Sequence, residues 1–332
     1  MILTLRVFFI LYFSYIFTAQ LATSDEHASV QAFDGIQFDK WMNDNSNWGR
    51  WGKDDQLGTI NLITSKERIA AAELVKTGSV VSLSRVMGTV KTLDNPTPLQ
   101  HTMNETGDRS EHGAATDTYS VSYHGFGHSH YDALCHMFHR GKMYNGYSKL
   151  IVTDDGCKKN SVLGIKNGIF TRGVLIDLPW LRNQKMLQPG TAVYTEELEL
   201  WEKTTGVEIR SGDVLLLRTG RWLAREQNGV IDLETGIAGL HASTINWLHS
   251  RNVAVIGSDG ITDVIPSGST DELAPLHKLI IVSLGTTLFD NLDLDELSQI
   301  ARKHNRWEFL FTTAPLAVKG GTGSPINPIA VF

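Results

Sequence analysis

The chain has 332 residues, 42% hydrophobic and 20% charged, enough for a substantial core in one large domain or two modest ones. That composition excludes a disordered, fibrous or repetitive architecture. The formal charge of −6, with no run of Lys and Arg longer than a pair, excludes a surface built for a phosphate backbone, so nucleic acid is not an expected partner.

Residues 1–22 read as a secretory signal peptide. Arg6 precedes the apolar run from Val7 to Phe17, and Ala19, Ala22 and Ser24 supply small residues for cleavage. The run is shorter than the ~20 residues that span a bilayer, and no later segment is long and apolar enough to cross one. The expected location is extracellular, with no membrane span in the mature chain. The sequon Asn104-Glu105-Thr106, in a polar stretch, is a glycosylation candidate in that setting. Cys135 and Cys157 are the only cysteines. They are open to two readings, one bridge in an oxidising compartment or small buried fillers.

Residues 23–46 read as a polar, loosely packed segment, and residues 47–332 as one domain. Asn47 to Asn61 is turn-rich. A helix follows, capped by Thr64 or Ser65 with Glu67 in its first turn; Ile69, Ala72, Leu74 and Val75 form its apolar face and Gly78 stops it. Val80–Ser84 is a predicted strand, residues 88–117 a long polar loop, and Thr118–Tyr123 an alternating strand. Gly173–Asp177, Asp213–Arg218 and Asn252–Gly257 are predicted buried strands. Helices are expected at Thr195–Thr204, at Ser243–Ser250 with Ile245, Trp247 and Leu248 inward, and at Leu294–Lys303. A last strand is expected at Glu308–Thr312. Gly320–Pro325 lacks the Lys and following helix of a phosphate loop and reads as a turn. The sum is a single α/β domain of mixed sheets with flanking helices.

The chemistry concentrates between His124 and His136, where His124, His128, His130 and Asp132 occupy even positions with His136 just beyond. In an extended strand these four side chains leave one face. Helical residues from Ala133 would bring His136 back one turn toward Asp132. Imidazole and carboxylate together suit zinc, manganese or ferrous iron better than calcium or magnesium. Clustered imidazoles repel when protonated and gain little unless a metal holds them. Ser84, Ser122 and Ser283 do not lie in a nucleophile elbow.

With these residues in view, the chain resembles the cyclase-like metal-dependent hydrolases, the family of bacterial kynurenine formamidase and isatin hydrolase. The likeness runs from Trp48 to Phe332. It is carried by Trp51–Asn61, the His-rich block ending Asp132-Ala-Leu-Cys-His136, Gly239-Leu-His241, Gly257-Ser-Asp259 and Gly320–Pro328. The resemblance implies a swivelling β/β/α fold, with His130 and Asp132 as metal ligands and His136 as the acid and base. The family's first His falls on Phe126, which implies one metal, with His128 or His124 in compensation. The later ligands correspond to His277 and to Asp290, where the family more often has Glu.

The implied activity is arylformamidase-like hydrolysis of a non-peptide amide bond in a small aromatic substrate, with N-formylkynurenine and isatin both in scope and tryptophan catabolism as the setting. A zinc or manganese ion would supply hydroxide. Trp51, Phe126 and Tyr131 are the candidate substrate-binding residues, and a homodimer or higher homo-oligomer is expected from the likeness. A cupin-type oxygenase, which needs many strands and few helices, and a secreted non-catalytic binding protein are the rival readings.

Overall fold

The computed structural model describes residues 29–230 and 236–332. The signal-peptide reading of residues 1–22 lies outside them. Among the described residues no helix is long and apolar enough to cross a membrane.

One mixed sheet of nine strands organises the domain. Its order is Val80–Ser82, Ile329–Val331, Glu308–Thr313, Ile169–Asp177, Val214–Arg218, Val255–Ser258, Thr287–Asp290, His130–Asp132 and Gly323–Pro325. The four strands from Ile169–Asp177 to Thr287–Asp290 run parallel, and the flanking pairs are antiparallel. Parallel strands covered on both faces read as unbroken apolar runs. Val214–Leu217 is such a run and is fully buried. With helices against it, this is the mixed α/β domain expected, and it excludes a jelly roll.

The helices follow their local signals. Ser65–Ala72 has a capping box in which Thr64 and Glu67 satisfy each other's backbone donors. Its predicted apolar face is not the buried one, since Ile69 is exposed and Ala71 is the buried residue. The helix is mostly solvated, and the small Ala71 is what contacts the body of the protein. Thr195–Thr205 ends on left-handed Gly206. Ile245–Arg251 buries Ile245, Trp247 and Leu248 as expected.

Three expectations need correction. Residues 23–46 are not all loosely packed: Gly35–Asp44 is a helix capped by Asp34, and Phe38, Trp41 and Met42, spaced by three and four, bury one face. It docks on the helical segment 275–284, where the Ser283 hydroxyl donates to the Met42 carbonyl. The excursion over 88–117 contains a β-hairpin, Gln100–Glu105 against Thr116–Ser120, with all but Glu105 exposed. The second strand overlaps the one expected at Thr118–Tyr123, whereas Gln100–Glu105, polar with neither face buried, gives no alternating signal. Finally, Glu308–Thr313 is not the last strand. Part of the turn predicted at Gly320–Pro325 extends as strand Gly323–Pro325 against His130–Asp132, and Ile329–Val331 follows.

Candidate metal centre

Only His130–Asp132 of the histidine block is a strand. Within it the period of two holds: His130 and Asp132 share a face, while Tyr131 points to the other and packs on Phe289, ring centroids 5.5 Å apart. Tyr131 is therefore a core residue, 1% exposed, and not a substrate contact. Across the ladder His130 pairs with Asp290. That register explains why the His130 Nε2 and Asp290 Oδ2 atoms stand 3.8 Å apart.

His277 enters from the short helix Pro275–Lys278. Asp263 receives the backbone N–H groups of Leu276 and His277 at 2.7 and 2.9 Å, anchoring the first turn. The His277 Nε2 reaches Asp132 Oδ2 at 2.9 Å and Asp290 Oδ2 at 3.7 Å. Its Nδ1 lies 3.2 Å from the Ile261 carbonyl. His130 has the same device, with Nδ1 2.8 Å from the His128 carbonyl. A carbonyl only accepts, so each Nδ1 carries a proton; this leaves Nε2 as the atom that would face a metal, and on His277 the proton that Nε2 donates to Asp132 would have to leave first.

His124 and His136 complete the cluster. Their rings stack 4.1 Å apart and nearly parallel. They are its more open members, with side chains 29% and 27% exposed. His136 Nε2 lies 3.8 Å from Asp132 Oδ2. The helix expected from Ala133 is absent; a turn closed by the His136 N–H on the Ala133 carbonyl brings the ring back instead. Next to it, Cys135 is bonded to Cys157, which decides between the two cysteine readings.

Two groups of donor atoms result, His124 with His130 and Asp132, and Asp132 with His136 and His277, each within 4.8 Å. Asp132 belongs to both. His124 Nδ1 stands 2.9 Å from Asp132 Oδ1, yet neither atom makes a hydrogen bond, and Asp290 Oδ1 is likewise buried without a partner. Unpaired buried polar atoms are costly, and lone pairs that converge without bonding one another fit a cation. The charges agree. Burial opposes the ionised form of Asp132, but His130 and His136 outweigh it and hold the carboxyl well below its usual range. Burial pushes Asp290 up to about 8. Burial disfavours charge on His277, yet Asp290 and Asp132 push it up to about 10. The ionised Asp132, and Asp290 once it gives up its proton, thus draw positive charge between them.

His128 does not join this group. Residues 124–128 form bends, not a strand, so even spacing no longer sets one face. Its ring lines an adjacent cavity of about 420 Å³ with Leu93, Pro96, Phe126, Arg221 and Ile237, and His124 lines it too. Phe126 therefore stands where a substrate contact was expected. Trp51 is not among the lining residues and lies under the Arg50 guanidinium, 4.7 Å from ring centroid to Cζ.

The other family markers prove structural. Asp55 accepts from the Gly58 N–H and the Tyr144 hydroxyl, and a side chain on Gly58 would strike the Gly285 carbonyl at 1.8 Å. His241 holds the Gln31 carbonyl at 2.9 Å. Asp259 collects the N–H groups of Thr219, Gly220 and Arg221. Arg221 and Asn291, which sequence reasoning missed, strap the bend that carries His124 and His128. Arg221 Nη2 donates to the Phe126 carbonyl, and Asn291 Nδ2 to those of Gly125 and His128. Nothing in their local sequence marks that role.

Comparison with known proteins agrees with this architecture. A solved structure described as a novel cyclase superposes with a TM-score of 0.77 at 27% identity, covering 86% of this chain and 99% of the other. Isatin hydrolase A from Ralstonia solanacearum gives 0.58 at 22% identity over 81% and 98%. An isatin hydrolase bound to the product analogue thioisatinate gives 0.55 at 19% over the same shares. The two isatin hydrolases share the fold. No curated protein matches the sequence. The Cyclase family model matches residues 57–262, which include the whole histidine block, and on that match the chain belongs to the Cyclase family.

Proposed function

We propose that the protein is a metal-dependent hydrolase that cleaves an amide-type C–N bond in a small apolar, aromatic substrate. The observation that carries the reading is the sharing of Asp132 between two sets of convergent donors beside an apolar cavity. His130, Asp132, His277 and His124 would hold a zinc or manganese ion, with Asp290 at its margin. Such an ion, when bound, lowers the pKa of water toward neutrality and polarises a carbonyl. His136 supplies the proton transfer. Burial lowers its pKa to about 4, so it is neutral at pH 7 and able to take a proton from the attacking water at Nε2, then return it to the leaving nitrogen. Its partial exposure puts it on the open side of the cluster, while His130 and Asp132 lie beneath.

Residues 124–128 and Phe126 in particular supply an apolar wall for a ring. We place the protein in the secretory route. The sequence of residues 1–22, the exposed Asn104 of the sequon and the Cys135–Cys157 bond support that setting.

The test is elemental analysis of purified protein together with hydrolysis assays on a formanilide and isatin. Stoichiometric transition metal with turnover that disappears in His136→Ala is the expected result. Protein without metal, or metal-loaded protein that turns over neither substrate class, overturns the reading.

A further inference from the structure

The cavity beside His124 contains more polar capacity than its apolar wall requires. His128 is 2% exposed, and neither of its ring nitrogens makes a hydrogen bond. Arg221 is 4% exposed, and its Nε is also without a partner. Both line the same cavity, among the apolar Leu93, Pro96, Phe126 and Ile237 and the polar Asp94, Asn95, Thr97 and Ser122, and no side chain there accepts from these three nitrogens.

The Arg221 guanidinium is also short of negative charge. Its other nitrogens donate to neutral oxygens: Asn291 Oδ1, the Phe126 carbonyl and, at 3.4 Å, the Asp259 carbonyl. Among the described residues no carboxylate stands within ion-pairing distance of it. Asp94, a buried residue of the cavity lining, is taken by Arg225 at both oxygens. Asp259 is occupied by backbone N–H groups and the Thr219 hydroxyl. A buried cation without a counter-charge is costly, and a planar guanidinium is suited to a carboxylate.

We propose that Arg221 and His128 form a subsite for an anionic group, and that the substrate class is a small apolar amide that carries a carboxylate. This rests on the hydrolase reading for the amide and on the cavity alone for the carboxylate. A ligand seated there places its apolar part on Phe126 and Ile237 and its anionic end at Arg221, with His124 marking the side that opens on the metal centre. His128 donates a second hydrogen bond in place of metal ligation, which accounts for its departure from the cluster.

The experiment is calorimetric titration of the full, metal-loaded chain with benzoate and with benzamide, which match in shape and differ in charge. Benzoate is expected to bind at least about tenfold more tightly, the scale of hydrogen bonds to charged groups. Arg221→Met is expected to remove that preference and leave benzamide unchanged. Because Arg221 also straps the Phe126 bend, His128→Leu serves as the second variant and is expected to weaken benzoate selectively. Equal binding of the two probes by the wild type, or loss of both in parallel in folded variants, overturns the subsite. Retention of benzoate preference in His130→Ala, in which turnover is gone, supports it. Benzoate preference in protein that hydrolyses no amide leaves the subsite standing while the hydrolase reading fails.

Discussion

His277 Nε2 lies 2.9 Å from Asp132 Oδ2, although 145 residues separate the two in the chain. The contact joins the Pro275–Lys278 helix to the His130–Asp132 strand, so the proposed centre depends on tertiary packing as much as on the histidine block. Asp132→Ala removes the carboxylate common to both donor groups. Metal affinity should fall by more than about 100-fold, beyond the usual loss for an indirect partner, and metal content after dialysis measures it. Retention of a full equivalent would place the ion elsewhere.

His136→Ala should separate holding from chemistry. With His124, His130 and His277 intact, metal is retained while kcat falls by about 100- to 10,000-fold. A parallel loss of metal and turnover would make His136 a ligand before a base.

Phe126→Ala and Tyr131→Ala should part in the opposite sense. Phe126 lines the cavity, so its truncation raises KM by about tenfold with little change in melting temperature. Tyr131 is buried on the core face of the His130–Asp132 strand, so its truncation costs about 3–5 kcal/mol of stability. Thermal denaturation read beside substrate saturation curves distinguishes them.

Asp177 gives the acid limit of the fold. Burial opposes its charge, but the Arg218 guanidinium, the Ser298 hydroxyl and Arg302 outweigh burial and lower its pKa from the ordinary carboxylate value. A depressed carboxylate contributes stability that is present above its unfolded pKa and lost as pH falls through the folded value. Stability should therefore decline below about pH 4. Asp177→Asn should flatten that decline and cost about 1–3 kcal/mol at neutral pH, since Arg218 keeps its pair with Asp295 but loses the buried charge of Asp177. Urea unfolding at a series of pH values reads both effects.

Reduction should loosen the wall beside His136. The Cys135–Cys157 bond closes a separation of 22 residues, for which chain entropy gives about 3 kcal/mol. Cys157→Ala, or reductant, should lower the melting temperature, and kcat should drop further than metal content does. An unchanged melting temperature under complete reduction would show that the bond constrains little.

Much of this was legible in the sequence because local physics and tertiary packing agree there. The apolar run within Asp213–Arg218 reads as a buried strand, and Thr64 or Ser65 with Glu67 reads as the start of a helix. His130, Asp132, His136, His277 and Asp290 were each identifiable as candidates for one site. His128 was misplaced because even spacing tells of one face only while the backbone is extended, and the chain bends before Ser129. Tyr131 was misread as a pocket residue although the same alternation puts it opposite His130. Arg221 and Asn291 were invisible for a different reason: each acts by donating to backbone carbonyls of a distant bend, a role that any sequence context permits.

The pairing of Gly323–Pro325 with His130–Asp132 has a temporal consequence. The His130–Asp132 strand is an edge until Gly323–Pro325 pairs with it, and the hydroxyl that lies 2.9 Å from His124 Nε2 belongs to Thr322. A growing polypeptide therefore carries all its imidazoles long before it can aim them. The proposed metal centre is thus complete only when residues 322–325 have joined the sheet.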